Sequence, residues 1–298
     1  MNRHGTASNK GRLPQERPGK RPSWGDFVLR LLTTLIILPL IVFLIWAPGL
    51  EWAFAGFIAM LAAVALYEYY SMARSPEIAP ETIGGLVSGA IVTLSGYSYD
   101  LKTTVFIVFD GCFLVAGLHL VHGQPSIAGL ATSVFGIVYV GWFAAHMVLL
   151  HGIPQIGPAL VTMLVAAVAL TDAAAYLAGS AVGKHRMAPT VSPNKTWEGA
   201  IAGFAAAVLG VTAFYFLGRA FPALSAPRWS LAQFLCTGAI LSVVAQMGDL
   251  VESSMKRSAG VKDSGFLFPG HGGVLDRSDG YLFAAPVLYY MVTFFFHA

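Results

Sequence analysis

Apolar runs of about twenty residues recur along nearly the whole chain, broken only by short stretches of proline, glycine or charge, and this pattern leaves few folds open. The runs fall at roughly 27–47, 51–73, 83–99, 103–121, 126–150, 157–182, 198–219, 231–253 and 279–297. In lipid a helix satisfies all its own backbone groups, so such runs become spanning helices. The expected fold is all-α, a polytopic integral membrane protein with about nine transmembrane helices. With 56% of its 298 residues hydrophobic and 11% charged, the chain lacks the polar surface to cover a soluble globule. Asp110 makes the fourth run the weakest of the set.

The first 26 residues, rich in Arg, Lys, Pro and Gly, cannot bury a core and read as a disordered basic tail. A cleaved signal peptide competes for the first run, because Ala47-Pro48-Gly49 offers small residues, but Phe27 to Trp46 is about 20 residues, longer than a signal core. With the N-terminus cytoplasmic, fifteen of the eighteen Lys and Arg fall on cytoplasmic segments, against Lys102, Arg219 and Arg228 outside. That bias puts the charged loops at 183–198 and 254–279 on one cytoplasmic face of an inner membrane. Cys112 and Cys236 sit within apolar runs and form neither a zinc pattern nor a disulfide framework.

Charge then concentrates where it is most expensive. Residues 249–280 hold five of the fifteen acids, four of the eighteen bases, and His271. Asp276 and Asp279, three apart, share a face if the segment is helical, and Asp249 closes the preceding apolar run from the other side. Oxygen ligands from a few carboxylates suit Mg²⁺ better than Zn²⁺. The turn Pro269-Gly270-His271-Gly272-Gly273 lets backbone N–H groups approach a phosphate. Acids for a metal, bases for phosphates and a glycine turn describe a nucleotide or polyphosphate site; the plainer reading is salt bridging of the three Asp with Lys256 and Arg277. Glu252 is placed equally to pair with Lys256 or to join the metal, and Asp263 to be solvated or part of the site.

A second constellation precedes the first. Asp172, Tyr176, Gly179 and Gly183 recur at three or four, giving one helix stripe an acid, a hydroxyl and two points of close approach. Ser192 or Thr196 is placed to cap the helix that follows, with Glu198 in its first turn, and Lys195 faces the same side of the membrane as the main cluster.

The run Ser253-x-Met255-Lys256-Arg257-x4-Lys262-Asp263-x-Gly265-x2-Phe268-Pro269-x-His271-Gly272-Gly273-Val274-x-Asp276-Arg277-x-Asp279 resembles the signature of the phosphatidate cytidylyltransferase, or CDP-diacylglycerol synthase, family. Ser192-Pro193-Asn194-Lys195-Thr196-Trp197-Glu198-Gly199 resembles that family's other well-kept block; Ser278 departs from the pattern without touching the chemistry. The resemblance implies that CTP and phosphatidic acid yield CDP-diacylglycerol and pyrophosphate. It implies Asp249, Asp276 and Asp279 as metal ligands, and Lys256, Arg257 and Lys262 as contacts to CTP or lipid phosphates. Arg277 would bind phosphate or orient the acids, and the turn of His271, Gly272 and Gly273 would hold the triphosphate. Asp172, Ser192, Lys195, Thr196 and Asp263 follow as further substrate contacts. It also suggests a monovalent cation such as K⁺ beside Mg²⁺.

The expected partners are CTP, phosphatidic acid entering from the inner leaflet, and membrane lipids, with no nucleic acid. Glu68 and Asp110, isolated acids in apolar runs, read as interhelical hydrogen-bonding groups or homodimer contacts. With Asp172 they would favour a transporter, but no inverted repeat is evident and the charges gather at one face. A CDP-alcohol phosphotransferase would need an Asp-Gly-x2-Ala-Arg run that the sequence lacks.

Overall fold

The computed structural model describes residues 39–122, 126–265 and 272–296, and four of its helices begin where a polar side chain satisfies free N–H groups. The basic tail and His271 lie outside the described residues. Helix α1 covers 39–46, followed by α2 (Glu51–Ala73), α3 (Thr82–Ser95) and α4 (Leu101–Val121). Asp100 caps α4, accepting from the N–H groups of Lys102 and Thr103. Helix α5 (Ile127–Gly136), capped by Ser126, runs through a π turn at Ile137–Trp142 into α6 (Phe143–His151). Next come α7 (Gly157–Val182), α8 (Trp197–Ala220), α9 (Leu231–Ser258) and α10 (Leu275–Tyr290), the last extended by a π turn at Met291–Phe295. Thr196 caps α8, and Ser230 with Gln233 forms a capping box on α9.

Six helices among the described residues are long and apolar enough to cross a membrane: α2, α4, α5 with α6, α7, α8 and α9. The expected count of about nine is not reached on that measure, for local reasons. Helix α3 has 14 residues because the run breaks into a 3₁₀ turn at Gly96–Ser98 with Tyr99 left-handed; α10 has 16 before its π turn; and the first run is described only over its end. The segment expected as a loop at 183–198 is also more ordered than that. It forms an antiparallel hairpin of β1 (Arg186–Ala188) and β2 (Ser192–Thr196), where Pro189 and Pro193 bar a helix.

The core is built around α7. Leu160, Met163, Leu164, Ala167 and Val168 are buried against Phe234, Leu241 and Ala245 of α9 and Ala284, Ala285 and Leu288 of α10. Helix α7 lies on α8, α8 on α9 and α9 on α10, which brings the ends of α7 and α9 and the starts of α8 and α10 together around one space. Two glycines set how near they come. A Cβ on Gly199 would lie 2.6 Å from the Ala175 carbonyl of α7, and one on Gly248 would lie 2.6 Å from the Asp279 carbonyl of α10.

Gly248→Ala is therefore expected to wedge α9 from α10 and lower stability by about 1–3 kcal/mol. Gly117→Ala, where a Cβ meets nothing within 4 Å, is the control and is expected to hold or gain stability through helix propensity. Melting temperatures of the two purified variants in one detergent check the pair.

Candidate active site

Because α9 and α10 touch at Gly248, the next residue, Asp249, faces Asp279 one turn into α10. Glu252 follows Asp249 by three residues and shares its helix face. One carboxylate oxygen from each of Asp249, Glu252 and Asp279 lies within 4.8 Å of the others. The Glu252 side chain is 0% exposed and Asp279 is 8% exposed, whereas that of Asp249 is 35% exposed toward the opening. Like charges about 4 Å apart repel by about 1 kcal/mol in water and by several times that where protein displaces water. Such a group requires cations.

Two lysines answer it from different elements. Lys195, carried in by β2, places Nζ 2.5 Å from Asp249 Oδ2. Lys256, one turn beyond Glu252, places Nζ 2.5 Å from Glu252 Oε2 and 2.6 Å from Asp276 Oδ1. Asp276 Oδ2 accepts the N–H groups of Ser264 at 2.9 Å and Gly273 at 2.8 Å, and Ser253 Oγ donates to Asp249 Oδ1 at 3.3 Å. Beyond their ion pairs, the Glu252 oxygens and Lys195 Nζ have no hydrogen-bond partner among the described residues, so they keep bonding capacity in hand.

The charged groups other than Glu252 border a cavity of about 680 Å³, in the size range of small-molecule sites. Asp172, Tyr176, Asn194, Lys195, Thr196, Gln246, Asp249, Lys256, Asp276, Arg277 and Asp279 line it. The stripe predicted on α7 and the two charged segments thus open onto one space.

The model of the cytidylyltransferase family matches residues 28–295. The chain belongs to the cytidylyltransferase family. It is 35% identical to the phosphatidate cytidylyltransferase of Brucella suis over 266 residues, covering 87% of this chain and 91% of that protein. To the Synechocystis protein of the same name the identity is 33% over 268 residues, with 81% and 88% covered. To that of Bacillus subtilis it is 30% over 275 residues, with 91% and 99% covered.

Within this cytidylyltransferase, the structure gathers Asp172, Lys195, Thr196, Asp249, Lys256, Asp276, Arg277 and Asp279 around the cavity. It adds Glu252 to the acids and ties Asp276 to them through Lys256. Other predicted residues stand elsewhere. Arg257 donates to the carbonyls of Val191 and Val261, fastening the hairpin to the end of α9. Lys262 and Asp263 line a second cavity, of about 720 Å³, beside Glu68. Ser192 pairs with Ala188 in the hairpin, while Thr196 combines its cap with a place on the cavity wall. Gly272 takes a left-handed φ of 82° and Gly273 gives its N–H to Asp276. Asn194, Gln246 and Arg186 also line the cavity and were not singled out from the sequence. Gln246 is one turn ahead of Asp249 on α9, a spacing that could have found it.

Proposed function

We infer that this protein is a phosphatidate cytidylyltransferase, condensing CTP with phosphatidate to CDP-diacylglycerol and pyrophosphate, a step of phospholipid synthesis. Relatives bearing that name match along most of the chain. The observation that carries the reading to particular residues is the meeting of Asp249, Glu252 and Asp279 with Lys195 and Lys256 beside one cavity. A phosphate oxygen of the lipid attacks the α-phosphorus of CTP, the new P–O bond forms as the α–β bridging bond breaks, and pyrophosphate leaves. Catalysis of this kind is mostly positioning and charge compensation. Lys195, Lys256 and Arg277 draw the two anionic substrates together, and the spare bonding capacity of Lys195 suits a phosphate oxygen.

The donor set fits a hard divalent cation: Asp249, Glu252 and Asp279, with Asp276 across Lys256, would hold Mg²⁺. Five carboxylates, counting Asp172, against four basic groups, Arg186, Lys195, Lys256 and Arg277, leave a net negative charge that such an ion would offset. When bound, Mg²⁺ supplies charge neutralisation at phosphoryl oxygens. A monovalent cation such as K⁺ would be held together with the substrate phosphates, which bring further negative charge.

For orientation, α1, α3 and α10 with its π turn complete nine crossings, the N-terminus and the site face the cytoplasm, and the membrane is the inner one. Fifteen of the eighteen basic residues on one side support this, as does the Lys195–Asp249 pair that joins both charged segments. Asp110 is exposed on α4, and a second copy of the chain packed on that face would cover it.

The purified protein with phosphatidate, Mg²⁺ and radiolabelled CTP is expected to transfer label into chloroform-extractable lipid, to stop on chelation and to recover when Mg²⁺ is restored. Absence of labelled lipid in several detergents would return the transporter reading.

A further inference from the structure

Glu68, near the end of α2, is 5% exposed and far in sequence from every residue that lines the cavity. Its carboxylate is fully engaged by the start of α10. Oε1 accepts the Val274 N–H at 3.1 Å, while Oε2 accepts the Leu275 N–H at 2.8 Å and the Ser264 hydroxyl at 3.3 Å. Helix α10 has no side-chain cap of its own, so an acid from another helix serves as one, at the end where free N–H groups and the helix dipole favour negative charge. Gly265 and Gly273 form the cradle: a Cβ on either would run into the Glu68 carboxylate.

Asp276 grips the same two stretches of backbone from the other side, through the N–H groups of Ser264 and Gly273. The first turn of α10 is therefore held between α2 and α9, and that turn carries Asp276 and leads to Asp279. We propose that Glu68 is a positioning residue of the cytidylyltransfer site: by capping α10 from α2, it sets where Asp276 and Asp279 stand relative to Asp249 and Lys256. This rests on the reading that those acids form the site. Among the described residues Glu68 forms no ion pair with the cavity lysines, so it acts through the Val274 and Leu275 backbone and the Ser264 hydroxyl.

The test compares Glu68→Gln, which keeps one carbonyl acceptor, with Glu68→Ala, using hydrogen exchange at residues 274 and 275, kcat, KM for phosphatidate and the Mg²⁺ concentration for half-activation. Glu68→Gln is expected to speed exchange at those amides by about tenfold, the scale of a lost cap. It is expected to lower kcat by about tenfold or more, as for a site displaced by a fraction of an ångström, and to raise half-activation with KM for phosphatidate unchanged. Glu68→Ala goes further in the same direction, and if it fails to fold the Gln variant decides alone. Faster exchange with normal kcat and half-activation would make Glu68 a cap and nothing more, and unchanged exchange would remove even that. Asp279→Asn is run beside them. Normal turnover there removes the site reading and the proposal with it, whereas loss there with normal Glu68→Gln turnover removes the proposal alone.

Discussion

Asp249→Asn and Asp279→Asn are each expected to cut turnover by about 10²-fold or more, the scale of removing one preorganised electrostatic contact. Asparagine keeps the shape of the side chain and removes its charge, so the loss is of cation-holding capacity and not of packing. The two variants part company on stability. Asp279 is 8% exposed and shares a space of 4.8 Å with two other carboxylates, so its neutralisation relieves repulsion and the melting temperature holds or rises. Asp249 belongs to the same cluster but is also the ion-pair partner of Lys195, so Asp249→Asn strands that ammonium and the relief is offset. A drop in activity with a steady or higher melting temperature marks a group retained for chemistry at a cost to the fold. Initial rates across a Mg²⁺ titration, beside thermal melts in the same detergent, check both. Near-normal turnover in either variant would take that residue out of the site.

How much of this was legible beforehand follows from what each residue's role depends on. Helices α2 and α4 to α9 were readable because the length and composition of an apolar run decide whether it spans. Asp172, Lys195, Asp249, Asp276 and Asp279 stood out because a charge inside apolar sequence needs a reason. Glu252 did not resolve, because a position three after Asp249 and four before Lys256 satisfies the ion-pair and the cation readings equally; the structure gives it both neighbours. That Lys262 and Asp263 line the second cavity was not readable, because the path of the chain after α9 is set by the grip of Asp276 on the Ser264 backbone, a contact across twelve residues that spacing does not encode. The hairpin was hidden because it has no alternating pattern and two prolines, and it is tied to α9 by tertiary contacts, Arg257 to Val191 and Lys195 to Asp249. Glu68 was read as an interhelical hydrogen-bonding group or a dimer contact; that its partners are backbone amides some two hundred residues away required coordinates.

Lys256→Met is expected to lose both fold stability and activity, the largest combined effect in the molecule. The Lys256 side chain is 12% exposed and lies between Glu252, 0% exposed, and Asp276, 11% exposed. Removing the ammonium leaves two carboxylates out of water with no cation between them, and breaking a buried pair by deleting one partner costs about 3–5 kcal/mol. Arginine is no remedy, because its planar fork does not replace a compact ammonium placed between two carboxylates. The cause can be isolated with a second substitution. Adding Glu252→Gln to Lys256→Met removes one of the stranded charges, so the melting temperature is expected to recover in part, with a coupling between the two changes of about 0.5–3 kcal/mol. Turnover is not expected to recover with it, because the double variant lacks both a cation that draws phosphate into the cavity and one of the three clustered acids. If the melting temperatures of the two changes simply add, Lys256 is not the counter-ion of Glu252 in the working protein. If the double variant regains turnover along with stability, neither side chain takes part in the chemistry, and the charge at the head of α10 serves only to hold the helices together.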